Sequence, residues 1–173
     1  MAKRRMNAAD GLKLAIERER GANKFYREAA DRTKDVDGQR MFMWLAKEEA
    51  RHMAKLRQQL KSVSDSNRWV EWKRATAPVD RTEFPSSSEA RGTVSVSASE
   101  RDALRKAIES EREAVVFYTE AENSTPDLHG KTMFKSLTGE EEGHLALLEE
   151  ELEWITKSRK YFTLHRFDLR SPQ

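Results

Sequence analysis

Residues 12–60 return as residues 104–152, displaced by 92 positions without a gap, and roughly half of the aligned positions are identical. Self-similarity of this kind marks a supersecondary unit used twice, here in two copies rather than a solenoid array. In the first copy Leu12, Ala15, Ile16, Ala22, Tyr26 and Ala29, then Met41, Phe42, Leu45, Leu56 and Leu60, recur at three- and four-residue steps. The second copy repeats them as Leu104, Ala107, Ile108, Ala114, Tyr118 and Ala121, then Met133, Phe134, Leu137, Leu148 and Leu152. Such steps line one face of a helix, so each unit reads as two helices. What interrupts these apolar stripes is polar and identical in both copies: Glu19, Glu49 and His52, matched by Glu111, Glu141 and His144.

Capping and turn chemistry set the expected boundaries. Asn7 followed by Asp10 opens helix 1, expected over about 7–33, and Asp35-Val36-Asp37-Gly38 turns the chain into helix 2, about 36–61. Ser99 with Asp102 opens helix 3, about 99–124, and Thr125-Pro126-Asp127 leads into helix 4, about 127–157. Between the units, about 62–98, serines, prolines and Gly92 break the periodicity, a length uncommon inside a domain. It becomes sensible if the chain has to travel the length of a bundle, so this stretch is expected to be a crossover pinned by Trp69, Val70, Trp72, Val79 and Phe84. The tail, about 158–173, is basic and aromatic and has no counterpart in the first half. The whole, residues 1–173, reads as one all-α domain: a four-helix bundle of two duplicated helix hairpins joined by a long crossover.

Composition narrows the function. Hydrophobic content of 37% beside 36% charged residues suits amphipathic helices with solvated outer faces. A formal charge of +2, with both signs mixed along the chain, gives no field that predicts nucleic-acid or membrane binding. No apolar run approaches the ~18 residues of a membrane span, and the basic start leads into no apolar signal core, so a cytoplasmic protein is expected. Cysteine is absent, which excludes disulfides, zinc-cysteine and iron-sulfur centres within this sequence. Any metal must be held by oxygen and nitrogen.

A tight turn makes helices 1 and 2 antiparallel neighbours, and the midpoint between Glu19 and the Glu49/His52 pair falls at the turn. The three polar residues therefore share one level, about 20 Å from the turn at ~1.5 Å rise per residue. The duplication places Glu111, Glu141 and His144 likewise. Burying four carboxylates in one layer costs several kcal/mol per ion. Two divalent cations balance four negative ligands, and the oxygen and imidazole set suits iron or manganese.

The donor pattern, the runs Ala15-Ile16-Glu17-Arg18-Glu19 and Phe25-Tyr26 with their copies at 107–111 and 117–118, and the long crossover resemble the ferritin-like superfamily, most closely rubrerythrin-type di-iron carboxylate proteins. The resemblance covers about residues 7–153. It implies two iron ions, or manganese or a mixed pair, with Glu49 and Glu141 bridging, Glu19 and Glu111 terminal, and His52 and His144 each capping one ion. No catalytic residue beyond these ligands is expected. Tyr26 and Tyr118 would hydrogen-bond to ligands, or else serve as core aromatics. Implied too are reduction of hydrogen peroxide or dioxygen, an external electron donor such as a rubredoxin-like protein, since no cysteine here can hold a rubredoxin centre, and a homodimer. Ala114 stands where rubrerythrins typically carry an additional Glu, which makes the set resemble the ferroxidase type as well. An iron-handling ferroxidase and a metal-stabilised structural bundle are the alternatives. Glu48/Glu140, Glu28/Glu120 and Arg20/Arg112 read as surface charges, His129 and His165 as turn or surface histidines, and Gly139 and Gly143 as sites of close helix approach or a bulge.

Overall fold

A computed structural model describes residues 7–72 and 97–158, and within them the chain forms α1 (Ala8–Arg32), α2 (Val36–Ser66), α3 (Ala98–Ser124) and α4 (Leu128–Ser158). The architecture is the expected all-α four-helix bundle. Asn7 caps α1 by accepting a hydrogen bond from the Asp10 amide at 2.8 Å. Asp35 accepts from the amides of Asp37 and Gly38 at 2.9 and 3.2 Å, and its repeat counterpart Asp127 accepts from those of His129 and Gly130 at 2.8 and 3.1 Å. Side-chain oxygens thus satisfy amides that have no partner inside the helix.

Two boundaries differ from expectation. The cap of α3 is Ser97 rather than Ser99, because Glu100 three residues on closes a capping box with it. Helix α2 continues past 61 to Ser66. Serine is only mildly unfavourable in a helix, and here Val63 is buried, Lys61 pairs with Asp65 at 2.7 Å and the Ser66 hydroxyl donates to the Ser62 carbonyl at 2.9 Å. Asn67, left-handed at φ 53°, ends it.

Each hairpin packs its own helices antiparallel, and the hairpins meet along α1 and α3, which also run antiparallel: Tyr26 reaches Glu111 and Tyr118 reaches Glu19. The two turns therefore lie at opposite ends. At one end the Lys34 amide of the first turn donates to Glu100 of α3 at 3.0 Å. At the other, Trp69, just past α2, meets Phe134 edge to face at 5.9 Å. The chain leaves α2 beside the second turn and enters α3 beside the first, so the points that the connection has to join lie at opposite ends of the bundle. Gln59 anchors its start, the side-chain amide bonding both the amide and the carbonyl of Val70 at 2.9 and 2.8 Å. Trp72 is buried with the Lys55 ammonium 4.8 Å from its ring centre. Val79, Phe84, His165 and the tail beyond Ser158 lie outside the described residues.

The core is two apolar clusters, one holding Tyr26, Phe42, Leu45, Leu104, Ile108 and Leu148, the other Leu12, Ile16, Leu56, Tyr118, Phe134 and Leu137. Each takes the turn half of one hairpin and the open half of the other, which leaves the middle of the bundle to the polar residues. Glycine is required at Gly130, where a Cβ would stand 2.6 Å from the Thr125 methyl and 3.0 Å from Trp69. Gly139 and Gly143 are exposed on an uninterrupted α4, and a Cβ at either would meet nothing within 4 Å. The expectation of close approach or a bulge there is corrected. No helix among the described residues is long and apolar enough to cross a membrane.

Candidate metal centre

All six polar interruptions converge in the middle layer, none more than 4% exposed. One ligand atom from each of Glu19, Glu49, His52 and Glu141 lies within 4.8 Å of the others, and Glu49, Glu111, Glu141 and His144 form a second such group. The groups share Glu49 and Glu141. The arrangement follows from the duplication: α1 and α3 each deliver one carboxylate, and α2 and α4 each deliver a carboxylate and an imidazole three residues apart, side by side on one helical face. The imidazole rings lie 5.8 Å apart and 19° from parallel.

His52 turns Nδ1 toward Glu141, Glu49 and Glu19 at 3.1, 3.3 and 3.5 Å, and His144 turns Nδ1 toward Glu141, Glu49 and Glu111 at 2.9, 3.3 and 3.8 Å. The donor set fits a pair of cations. Glu49 Oε1, Glu141 Oε1 and His52 Nδ1 are buried, face the centre and have no hydrogen-bond partner among the described residues. Buried polar atoms are rarely left so, and inward-facing donor atoms of this kind are what a bound ion satisfies. Oxygen and imidazole donors, with no sulfur, fit a hard or borderline divalent metal.

The electrostatics express the same pressure. Burial holds the carboxyls of Glu19 and Glu111 well above the usual carboxylate range, reinforced by the neighbouring acids. Burial also pushes Glu49 and Glu141 upward, but a hydrogen bond with Glu19, together with the imidazoles of His144 and His52, leaves Glu49 lowered, and the same imidazoles leave Glu141 lowered. Burial pushes the imidazoles down, and the facing carboxylates outweigh that and raise both. Protons thus balance the charge in a layer whose ligand atoms are arranged for metals.

Tyr26 and Tyr118 are fully buried and hydrogen-bonded to the predicted ligands, crosswise: the Tyr26 hydroxyl of α1 donates to Glu111 of α3, and the Tyr118 hydroxyl of α3 donates to Glu19 of α1. Each ring also packs as a core aromatic, Tyr26 on Phe42 at 6.3 Å and Tyr118 on Phe134 at 6.1 Å. The two expected roles coexist in one side chain. Ala114 packs with the apolar cluster around Tyr118.

Among the matched charges, Glu28 is exposed beside Lys24 at 3.8 Å, Arg20 pairs with Glu17 at 2.9 Å and Arg112 with Glu149 at 2.6 Å. His129 is exposed at the start of α4. Glu48 and Glu140 are both half-buried, which corrects their reading as surface charges: Glu48 pairs with Arg51 on its own helix, whereas Glu140 Oε2 stands 2.9 Å from His52 Nε2. The signal was in the differences between the repeats, since Glu48 has Trp44 before it and Arg51 after it where Glu140 has Ser136 and Gly143.

The family model described as Rubrerythrin matches residues 10–152. Among solved structures, the chain is similar to one titled Hypothetical Protein Pfu-1136390-001 from Pyrococcus furiosus, at 24% identity and a TM-score of 0.66, covering 90% of this chain and 94% of that one, a likeness of fold. No curated protein matches the chain.

Proposed function

The chain belongs to the rubrerythrin family, and from that membership we propose that it is a di-iron oxidoreductase that reduces hydrogen peroxide with electrons from an external donor. The observation that carries this reading is the pair of overlapping donor groups, Glu19-Glu49-His52-Glu141 and Glu49-Glu111-Glu141-His144. Glu49 and Glu141, common to both groups, would be shared by the two ions, Glu19 and His52 would help hold one, and Glu111 and His144 the other. When bound, two irons supply the two electrons that, with two protons, convert one peroxide to two waters.

The protein contributes position and exclusion. Apolar clusters on both sides keep bulk water from the layer, which strengthens the interaction of the carboxylates with any cation held there. Tyr26 and Tyr118 hold Glu111 and Glu19 by their hydroxyls, and burial keeps both phenols protonated as donors. The donor is a rubredoxin-like protein or another one-electron carrier, and the working assembly is a homodimer.

The test is metal content of protein purified without added metal, followed by absorbance as the anaerobically reduced form meets one equivalent of peroxide. Near two irons per chain with rapid oxidation supports the proposal. Slow reaction with peroxide beside fast reaction with dioxygen, and uptake of iron well beyond two per chain, replaces it with a ferroxidase. Ala114, apolar and packed by Tyr118, favours that second reading, because it adds no carboxylate to the set.

A further inference from the structure

The repeats place a glutamate directly before each Glu-x-x-His, but the two are used differently. In the first unit Glu48 is paired with Arg51, three residues on, and Trp44 occupies the preceding turn, packed edge-on against His144 with centroids 5.5 Å apart. In the second unit the position of Arg51 is Gly143, which offers no competing cation, and that of Trp44 is Ser136. With no cation three residues on to hold it along its own helix, Glu140 turns across to α2. Its Oε1 accepts from the Ser136 hydroxyl at 3.0 Å, its Oε2 lies 2.9 Å from His52 Nε2, and the Lys55 ammonium stands 3.8 Å away. Among the described residues no carboxylate stands in the same relation to His144.

We propose that Glu140, clamped by Ser136, is a positioning residue that fixes His52 with its proton on Nε2 and its Nδ1 lone pair toward the centre, so that the two metal positions are inequivalent. The claim rests on the binuclear reading above. A neutral imidazole binds metal through one nitrogen, and which one is decided by the hydrogen bond the other makes. A carboxylate behind the ring supplies that bond, holds the ring's orientation and makes it a stronger donor. His52 has this support and His144 has the edge of an indole. The position formed by Glu19, Glu49, His52 and Glu141 therefore fills first and holds its ion more tightly.

Anaerobic titration with ferrous iron, read as stepwise dissociation constants, tests this without recourse to turnover. Wild-type protein should give two unequal constants. Glu140→Ala should weaken the tighter step by about 10- to 100-fold, as loss of a ligand-orienting partner does, and leave the other within about threefold. Glu140→Gln, whose amide oxygen still accepts from Nε2, should recover most of that loss. Ser136→Ala should weaken the same step less, and Glu48→Gln should leave both constants within about threefold. Two equal constants in the wild type, or a Glu140→Ala protein that keeps both constants or loses both equally, overturns the inference and leaves the binuclear reading standing. A wild-type protein that binds no iron overturns both.

Discussion

At each side of the polar layer a phenol from one hairpin holds a carboxyl from the other, and these two contacts decide how the halves are registered. A buried hydrogen bond contributes about 1 kcal/mol net, but a buried acceptor stripped of its donor costs more, because nothing replaces it. Combining Tyr118→Phe with Glu19→Leu, which removes the acceptor, should therefore be strongly non-additive in denaturant unfolding, with a coupling of about 1–3 kcal/mol. Tyr118→Phe with Glu111→Leu, seven residues apart on α3, should couple less by at least about 1 kcal/mol. Equal coupling in both pairs would mean that the hairpins meet in another register. The carboxylates and imidazoles of the site were legible because each sits on an otherwise apolar stripe. The crosswise pairing was not, since periodicity says which residues share a face and nothing about which neighbouring helix they meet. Glu140 was hidden for a related reason: on α4 it lies beside the inward stripe, and only the absence of an arginine three residues on frees it to reach across.

Among the elements, α4 carries the clearest excess cost. Gly139 and Gly143 sit in its exposed middle, where a methyl group would meet nothing within 4 Å, and glycine there lowers stability through the freedom it gives the unfolded chain. Gly139→Ala and Gly143→Ala should each stabilise the protein by about 0.5–1 kcal/mol in urea melts. Gly130→Ala should do the reverse, by about 1–3 kcal/mol, because its new Cβ would press on Thr125 and Trp69 where the crossover leaves α2. A neutral Gly130→Ala would mean that this packing yields easily. All four helices were visible from their periodicity, and their ends less so. The choice between Ser97 and Ser99 as cap turns on which one has a glutamate three residues later, and the serines at the end of α2 stay helical because of local pairing and the burial of Val63.

For the molecule as a whole, the antiparallel meeting of the hairpins makes the long connection necessary, which is why its length alone announced a crossover. The same meeting gathers charge from four helices into one layer, so stability and metal binding become linked through protons. His52 and His144 are held above their ordinary value by the facing carboxylates, against the opposing effect of burial. Their stabilising contribution is complete below about pH 6.5 and is lost as the pH rises through the folded values. Glu19 and Glu111, raised by burial, act with the same sign from about pH 4.3 upward. Glu49 and Glu141 are pushed up by burial but lowered overall, Glu49 by its hydrogen bond with Glu19 and by the imidazoles, Glu141 by the imidazoles, so they act oppositely, and their contribution is lost as the pH falls below about 4.3. Chelated protein should therefore melt at progressively lower temperature as the pH is raised from about 6.5 to 9. With two divalent ions the slope reverses, because each ion replaces protons and binds more tightly once its ligands are deprotonated. Loaded and chelated samples melted across this range should give diverging curves, and parallel curves would mean that the metal is held somewhere other than the layer of Glu19, Glu49, His52, Glu111, Glu141 and His144.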